Sequence, residues 1–217
     1  MCGRYTESRA LQEIQDRFAP DVIGYELDLA PRYNLAPTQR APILRKIDGK
    51  RELTQLVWGL VPFWAKDKSI GSRMINARVE TVTEKPAYRA AFRKRRCLVI
   101  ADGFYEWKRE EDRKSPWYFC RKDRGLFAFA GLWEQWMGDG DALETFTILT
   151  TDANDLVKEV HPRMPVILRL DQEDPWLDLE KTDLAPLEAS EMMSWPVSKA
   201  VNSPKNDGPH LVEAAVS

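Results

Sequence analysis

The sequence predicts an α+β fold with a largely antiparallel β-sheet. Segments typical of β-strands outnumber those with helical periodicity, and the two kinds do not alternate regularly along the chain. A doubly wound parallel sheet needs that alternation, so an antiparallel arrangement is favoured. The length of 217 residues suits one domain, and the chain has no internal repeat or low-complexity linker. We therefore expect a single domain over residues 1–217, with a frayed end at 213–217.

A helix is the first predicted element. Leu11, Ile14 and Phe18 recur at helical spacing, and Ser8 is a suitable N-cap. Pro20 follows the periodic segment, so we expect the helix to end before it.

A loop and a hairpin are predicted next. Residues 32–37 are bounded by prolines, which favours a loop. Strand-like runs at 43–47 and 53–60 flank Asp48-Gly49, a dipeptide typical of hairpin turns.

The remaining predicted elements are further strands and short helices. Residues 86–96 predict a helix with proline near its start and basic residues at its end, as the helix dipole favours. Asp152 is suited to cap a short helix that ends at Val160. Strands are expected at 96–101, 117–121, 126–136, 145–150 and 165–170, and the tail holds helical signals at 184–193 and a polar loop at 202–209.

Composition limits the class of protein. Hydrophobic residues make up 43% and charged residues 30%, values ordinary for a soluble globular protein. There is no apolar run of about 18 residues that would predict a membrane span, and the polar N-terminus lacks the apolar segment of a signal peptide. Cys2, Cys97 and Cys120 are widely spaced and there are only two histidines, which argues against a disulfide framework and a structural zinc site. We expect a cytoplasmic protein.

The two halves of the chain differ in charge, although the net charge is only −2. Residues 1–124 contain 26 Lys and Arg against 17 Asp and Glu, whereas residues 125–217 contain 6 against 17. An unevenly charged solvated surface and a basic face that binds a polyanion such as nucleic acid both fit this pattern. The densest basic cluster lies in the first half and consists of Arg89, Arg93, Lys94, Arg95 and Arg96.

Cys2 is the most unusual position. If Met1 is removed, the thiol and the α-amine lie on one residue, and near neutral pH part of the amine is unprotonated because its ordinary pKa is about 7.7–8.0. Such a 1,2-aminothiol acts as a nucleophile with its own amine as base, or condenses with an aldehyde to a Schiff base that the thiol closes into a thiazolidine. An unremarkable cysteine on a disordered terminus is the alternative. Gly3 argues against that alternative, because a residue without Cβ allows close approach of the backbone.

Three further residues are candidates for the same chemistry. Glu106 lies among aromatic residues, where a carboxyl tends to have a raised pKa that suits general acid–base catalysis. His210 lies in the polar tail, so a catalytic histidine would be His161. Asn76 is suited to orient a substrate hydroxyl or carbonyl. An ion-paired glutamate, a solvated histidine and a turn-forming asparagine are the structural alternatives.

Two of the eight tryptophans, Trp58 and Trp64, bracket a short segment with glycine and proline. Most tryptophans should lie in the core. A tryptophan in a proline-bounded loop is also suited to stack on a nucleobase.

Short motifs follow one another in order along nearly the whole chain. They are CGR at 2–4, RYNLAP at 32–37, WGLVP at 58–62, NARVET at 76–81, DGFYEW at 102–107, LTTDAN at 149–154, HPRMP at 161–165, VSKAV at 197–201 and KN at 205–206. In this combination the chain resembles the SRAP family, the SOS response-associated peptidases or abasic-site processing proteins. The match is specific because the motifs are many, ordered and correctly spaced.

The resemblance implies a fold and an activity. The fold is a single domain with a largely antiparallel, barrel-like β-sheet core and peripheral helices. The protein would sense abasic sites in single-stranded DNA and form a covalent thiazolidine through Cys2 after Met1 removal, which shields the lesion from strand breakage during the DNA damage response. Lyase-type activity and autoproteolytic removal of Met1, a peptidase activity, are also implied. So are a monomeric state, replication-associated partners and the absence of any metal or cofactor.

The resemblance also implies roles for individual residues. Pro37 and Trp64 match a wedge that separates bases beside the lesion, and Phe63 stands where some bacterial members carry a second tryptophan. The catalytic positions are Cys2, Asn76, Glu106 and His161, and the DNA-binding positions are Gly3, Arg4, Asn34, Pro37, Trp64, Arg78 and Thr150.

Two rival functions fit the same residues. An N-terminal-nucleophile amidohydrolase would attack an amide with the Cys2 thiol and use the amine as base, but that class typically has a layered αββα fold. A non-enzymatic nucleic-acid-binding module would bind DNA with an affinity independent of Cys2. Incubation with abasic single-stranded DNA separates these functions, because only the abasic-site function gives a denaturant-stable adduct.

Overall fold

Two β-sheets form the framework of the protein. They are seen in a computed structural model that describes residues 2–24, 27, 29–111, 113–138, 140 and 142–215. The strands are β1 (Tyr5–Glu7), β2 (Val22–Ile23), β3 (Arg32–Leu35), β4 (Arg40–Ile47), β5 (Lys50–Trp58), β6 (Asn76–Arg78), β7 (Arg96–Ala101), β8 (Gly103–Glu110), β9 (Arg113–Arg121), β10 (Phe127–Met137), β11 (Ala142–Asp152), β12 (Arg163–Pro165), β13 (Ile167–Leu168) and β14 (Met192–Pro196). The α-helices of the described residues are α1 (Leu11–Phe18), α2 (Arg89–Lys94), α3 (Asp155–Lys158) and α4 (Leu170–Leu177).

The larger sheet closes into a barrel. Strands β11, β10, β7, β4 and β5 are antiparallel neighbours in that order, and β5 returns to β11 through a short parallel pairing of Val57 with Thr145 and Trp58 with Phe146. Helices α1 and α4 pack on the outside of the barrel strands. The predicted α+β fold with a largely antiparallel, barrel-like core and peripheral helices is therefore confirmed.

The smaller sheet packs against the barrel through aromatic side chains. Its strand order is β14-β9-β8-β1-β3. The ring of Tyr5 on β1 lies 5.1 Å from that of Trp58, and the ring of Phe104 on β8 lies 6.1 Å from that of Phe129. Buried edge-to-face pairs of this kind stabilise a core beyond their buried area. They hold the residues just before β1, and those just after Phe104, close to the barrel.

Hydrogen bonds secure the opposite end of the β1–β8 pair. Asp102 accepts hydrogen bonds from the hydroxyls of Thr6 and Ser8 and from the backbone N–H of Ser8 at 3.2 Å. The hydroxyl of Tyr118 lies 3.0 Å from that of Thr6. Gly103 makes this approach possible, because a Cβ there would lie 2.0 Å from the Tyr118 hydroxyl oxygen.

Several predicted boundaries are wrong because tertiary contacts decide them. Ser8 bonds to Asp102 and does not cap α1. Ala10 occupies the N-cap instead, and its N–H donates to the Glu13 carboxylate at 3.2 Å. The segment 32–37, predicted as a loop, contains β3, which pairs with β1.

The second half contains two similar corrections. Asn154, not Asp152, caps α3, since its side chain accepts a hydrogen bond from the N–H of Val157 at 2.9 Å. The helical signal at 184–193 corresponds to a short 3-10 turn at Ala189–Glu191 followed by β14.

Other predicted elements are present with altered limits. The hairpin at Asp48-Gly49 is confirmed by β4 and β5, and the strand at 96–101 by β7. The helix predicted at 86–96 is limited to α2, and the strand predicted at 165–170 is split between the end of β12 and β13, after which α4 begins.

The C-terminal tail is hydrogen-bonded to the small sheet. Ala214 forms an isolated bridge with Val197, and the N–H of Ala215 donates to the carbonyl of Pro196 at 2.9 Å. The fraying expected at 213–217 stays a prediction, and residues 216–217 lie outside the described residues.

Candidate active site

Cys2 lies inside the protein, next to the first strand. Its side chain is fully buried in the core cluster that joins the two sheets, and its thiol donates a long hydrogen bond to the carbonyl of Arg4 at 3.7 Å. Asn76 on β6 holds the same residue from the barrel side, because its side-chain amide donates to the Cys2 carbonyl at 2.8 Å. The structure thus excludes the alternative of a cysteine on a disordered terminus.

The pairing of β1 with β8 brings Glu106 to Cys2. Tyr5 lies opposite Phe104, and the N–H of Tyr105 donates to the carbonyl of Arg4 at 3.0 Å. The next residue of β8 is Glu106. Burial, and then the charge of Glu106, raise the pKa of the Cys2 thiol well above its ordinary value.

Glu106 is itself only 3% exposed. Burial raises the pKa of its carboxyl, and the nearby His161 is among the groups that oppose this shift. A carboxyl in this environment keeps its proton to a higher pH than a surface glutamate does. It is therefore suited to donate a proton near neutral pH.

His161 faces Glu106 across a cleft. It follows α3, where its N–H donates to the Val157 carbonyl at 2.9 Å, and it precedes β12. Nδ1 of the ring lies 3.0 Å from the backbone nitrogen of Arg163. The cleft has a volume of about 780 Å³, and its walls include Glu106, Trp107, His161 and Pro162. The four predicted catalytic residues are thus drawn from four separate segments to one region.

Two of the predicted DNA-binding residues, Arg4 and Asn34, are hydrogen-bonded to each other. Arg4 donates to the Asn34 side chain at 2.6 Å and to the carbonyl of Val201 at 2.8 Å. Asn34 is fully buried, and its amide nitrogen donates to the carbonyls of Ser203 at 3.0 Å and Asn206 at 2.7 Å. A direct contact of Asn34 with DNA is not supported by this placement, since its side chain is committed to the C-terminal segment and to Arg4.

Thr150 is also an interior residue, whereas Arg78 is exposed. The Thr150 side chain is fully buried, with its hydroxyl 3.5 Å from the carbonyl of Ala77. Arg78 lies opposite Thr150 in the parallel pairing of β6 with β11, and its side chain reaches the surface. Of this pair, only the Arg78 side chain is placed to meet a phosphate.

An exposed apolar surface lies on a loop after β5. Phe63 is 57% exposed and Trp64 is 48% exposed, and the Trp64 indole N–H lies 3.5 Å from the carbonyl of Pro86. Phe63, Trp64 and Arg89 line a shallow cavity of about 520 Å³. Gly3 and Pro37, the remaining predicted DNA-binding residues, are half-buried.

The basic cluster at 89–96 divides into structural and exposed residues. Arg95 donates to the buried Glu134 at 2.6 Å, and Arg96 lies over the ring of Trp176 at 4.4 Å. These two guanidinium groups serve the fold. The exposed members, which remain accessible to a polyanion, are Arg89, Arg93 and Lys94.

Sequence reasoning missed residues that support the site. The Trp107 indole donates to the side chain of Asn202 at 2.7 Å, and the guanidinium of Arg4 lies 5.9 Å from the Trp107 ring centre. Arg163 forms ion pairs with Glu80 and Asp152. Only the position of Trp107 beside Glu106, and of Arg163 beside His161, offered a signal in the sequence.

Within the described residues, no group of three or more His, Cys, Asp and Glu side chains is arranged to hold a metal ion. No helix in the described ranges is long and apolar enough to cross a membrane.

Comparison with known proteins identifies the family. The model of the SOS response associated peptidase (SRAP) family matches residues 1–204, which include Cys2, Asn76, Glu106 and His161. The chain belongs to the SRAP family. It is 44% identical to the abasic site processing protein YoaM of Bacillus subtilis, over 99% of this chain and 98% of that protein. It is 31% identical to the abasic site processing protein YedK of Escherichia coli, over 98% and 99% of the two chains.

Solved structures support the same family relationship. A protein from Bacteroides thetaiotaomicron, 27% identical, has a crystal structure that matches this SRAP chain with a TM-score of 0.86. The match covers 99% of this chain and 100% of the other. The barrel and the small sheet therefore belong to a fold already seen in crystals.

Proposed function

We propose that this SRAP protein processes abasic sites in single-stranded DNA and captures them covalently through Cys2 once Met1 has been removed. The observation that carries the proposal is the placement of Cys2, buried beside Glu106 with its carbonyl held by Asn76. The names of its relatives, abasic site processing proteins, give the substrate class.

The reaction joins an aldehyde to the aminothiol of Cys2. An abasic deoxyribose exists partly as an open-chain aldehyde, which the α-amine attacks to form a carbinolamine. Loss of the hydroxyl as water gives a Schiff base, and the thiol sulfur then adds to the same carbon. The C=O bond breaks and one C–N and one C–S bond form. The water carries away the aldehyde oxygen with one proton from the amine and one from the thiol.

Glu106 is suited to move these protons. Because burial raises the pKa of its carboxyl, Glu106 is suited to donate a proton to the departing hydroxyl. The carboxylate formed then accepts a proton from the buried thiol, which on its own stays neutral. His161, across the cleft, passes protons in either direction and would serve reversal or strand scission from the Schiff base.

The surface around the site suits a single DNA strand. Arg78, Arg89 and Arg93 are exposed cations of the basic first half, and Trp64 offers an exposed ring for base stacking. A lesion in a single strand is already unstacked, whereas a lesion in a duplex must be opened at a cost of a few kcal/mol. We therefore assign single strands, or junctions between single strand and duplex, as the substrates.

Removal of Met1 is the step that exposes the amine of Cys2. The same site would supply it autoproteolytically, by hydrolysis of the Met1–Cys2 peptide bond with water, which releases Met1 and leaves Cys2 as the new N-terminal residue. An ordinary methionine aminopeptidase also removes methionine before a small residue such as cysteine. The proposed capture of abasic DNA requires only that the amine be free.

The layered amidohydrolase alternative is not supported by the fold. A closed barrel flanked by a five-stranded sheet differs from the αββα layers typical of that class. The binding-module alternative is addressed by the following experiment.

Intact mass after mixing with an abasic single-stranded oligonucleotide tests the proposal. We expect a species whose mass equals protein lacking Met1 plus DNA minus one water. Cys2→Ser keeps the amine but lacks the sulfur, so it should bind DNA without forming a heat-stable adduct. A heat-stable adduct of Cys2→Ser in equal yield would contradict the thiazolidine, and no adduct of the parent protein would contradict capture altogether.

A further inference from the structure

The backbone of Arg163 gives the His161 ring a partner in both protonation states. Nδ1 lies 3.0 Å from the backbone nitrogen of Arg163 and 3.0 Å from its carbonyl oxygen. The N–H donates to Nδ1 when that nitrogen is unprotonated, and a protonated Nδ1 donates to the carbonyl. The ring can therefore change its charge without turning. Nε2 lies on the edge of the ring opposite Nδ1, and an imidazole nitrogen can give or take a proton near neutral pH.

The side chain of Arg163 donates four hydrogen bonds to acceptors on three residues. Its two terminal nitrogens donate to the Glu80 carboxylate at 2.6 and 3.0 Å, a bidentate arrangement. One of them also donates to Asp152 at 2.7 Å, and the other to the carbonyl of Thr150 at 2.6 Å. Bidentate, charge-assisted bonds fix geometry as well as add energy. The Arg163 side chain is 14% exposed, whereas the side chains of Glu80 and Asp152 are 46% and 86% exposed, so water reaches these bonds from the carboxylate side.

These contacts join the segments that carry two of the proposed catalytic residues. Glu80 follows β6, the strand of Asn76, and the N–H of Val79 donates to the Thr150 carbonyl at 3.0 Å. Asp152 ends β11 and lies directly opposite Arg163 of β12. The segment that carries Asn76 is therefore connected, through Arg163, to the segment that carries His161.

We propose that Glu80, Asp152 and Arg163, here called the Arg163 clamp, position His161 for proton transfer at Nε2. They do so by holding the Arg163 backbone against Nδ1. Glu80 and Asp152 are positioning residues and touch no reacting atom. The expected effect of the clamp on the rate of adduct decay rests on the proposed function. Its expected effect on the orientation of the His161 ring does not depend on any activity.

A double-mutant cycle tests whether the clamp acts through His161. Glu80→Gln removes the bidentate acceptor, and a loosened ring should slow adduct decay roughly ten- to a hundredfold, as misplaced catalytic groups do. In a His161→Ala background, Glu80→Gln should have no further effect. Purely structural damage would instead add to the His161→Ala defect, and that result would overturn the proposal.

A matched control is available on the same strand as Asp152. Glu144 on β11 forms a bidentate pair with Arg45, at 2.7 and 3.1 Å, and that pair is not part of the clamp. Glu144→Gln makes the same chemical change and should leave adduct decay at the parent rate. If it slowed decay as much as Glu80→Gln does, the effect would not be specific to the clamp.

The ring itself is observable without any DNA. His210→Gln leaves His161 as the sole histidine, since the chain has only two. We expect one sharp set of imidazole ¹⁵N–¹H signals, which Glu80→Gln moves or broadens and Glu144→Gln leaves unchanged. If Glu80→Gln does not fold, Asp152→Asn provides the second variant. An unchanged ring spectrum in the clamp variant would overturn the clamp, while absence of adduct in the parent protein would overturn only the proposed function.

Discussion

The two ends of the β1–β8 pair carry similar residues in different settings. At one end, Asp102 accepts hydrogen bonds from Thr6 and Ser8, and Arg9 lies 3.6 Å away. At the other end, Glu106 lies beside Cys2 and faces His161 across the cleft. The first carboxylate is surrounded by hydrogen-bond donors that hold it in place, and the second lies near a thiol and an imidazole, which can take part in proton transfer.

This difference teaches how one pair of strands serves both stability and chemistry. Hydroxyl and backbone donors do not titrate near neutral pH, so they keep Asp102 and the start of β8 in a fixed position. A thiol and an imidazole exchange protons, so a carboxyl between them is suited to relay a proton. Substitutions at the two ends should therefore affect different measurements.

The largest expected effect is at Glu106 and concerns the rate of adduct formation. Glu106→Gln keeps the shape of the side chain but cannot transfer a proton, and loss of one acid–base group costs about 10²–10⁴ in rate. The parent rate should also fall as the pH rises through the raised pKa of Glu106, because the acid loses its proton. That decline should be missing from Glu106→Gln. Single-turnover measurements over about pH 5–8 provide both readouts, and formation at the parent rate would rule out Glu106 as the acid.

The next effect concerns the pH dependence of stability at the end of the β1–β8 pair that contains Asp102. Burial, with a smaller contribution from Asp102, raises the pKa of Glu7 from 4.5 to about 8. Between these values the folded protein holds a proton that the unfolded chain has lost, so stability should fall as the pH rises. Glutamine does not titrate, so the free energy of unfolding of Glu7→Gln should fall less over this pH range than that of the parent protein. The difference should be roughly 2–4 kcal/mol. Urea unfolding at several pH values measures the free energy of unfolding of both proteins. If that free energy changed with pH in the same way in both, a neutral Glu7 would be contradicted.

The smallest effect is expected for Asp102→Asn. An amide accepts with one oxygen only, so hydrogen bonds from Thr6 and Ser8 are weakened at a buried site, at a cost of about 1–3 kcal/mol. Chemical denaturation should show this loss at constant m-value. Adduct formation per folded molecule should stay at the parent rate. A rate as low as that of Glu106→Gln would show that the two ends are not independent.

The sequence predicts those features that depend on local pattern. The spacing of Leu11, Ile14 and Phe18 predicts α1, and Asp48-Gly49 predicts the hairpin of β4 and β5, because periodicity and turn chemistry are local properties. Boundaries fail where a distant partner intervenes. Ser8 is removed from the cap of α1 by Asp102, 94 residues away.

The sequence indicates which residues belong to the candidate site, but it does not indicate which of the predicted DNA-binding side chains are exposed. Cys2, Asn76, Glu106 and His161 were found from their chemistry and from the family motifs, and the structure brings them together. Asn34 and Thr150 are polar residues in the same motifs, yet they lie inside the protein. A polar side chain alone does not reveal whether its partner is a ligand or a backbone carbonyl, so that distinction needed the fold.

Closure of the barrel has a consequence for the order of folding. The closing contact consists of two residue pairs between β5 and β11, strands far apart in the chain, and such contacts form late because loop-closure entropy opposes them. The indole of Trp58, in that contact, donates to the carbonyl of Ile75 at 2.9 Å, directly before Asn76. Asn76 therefore reaches Cys2 only in a completed barrel. We expect a partly unfolded chain that has lost Met1 to carry an accessible aminothiol with little selectivity, and selectivity for the lesion to be acquired in the last step of folding.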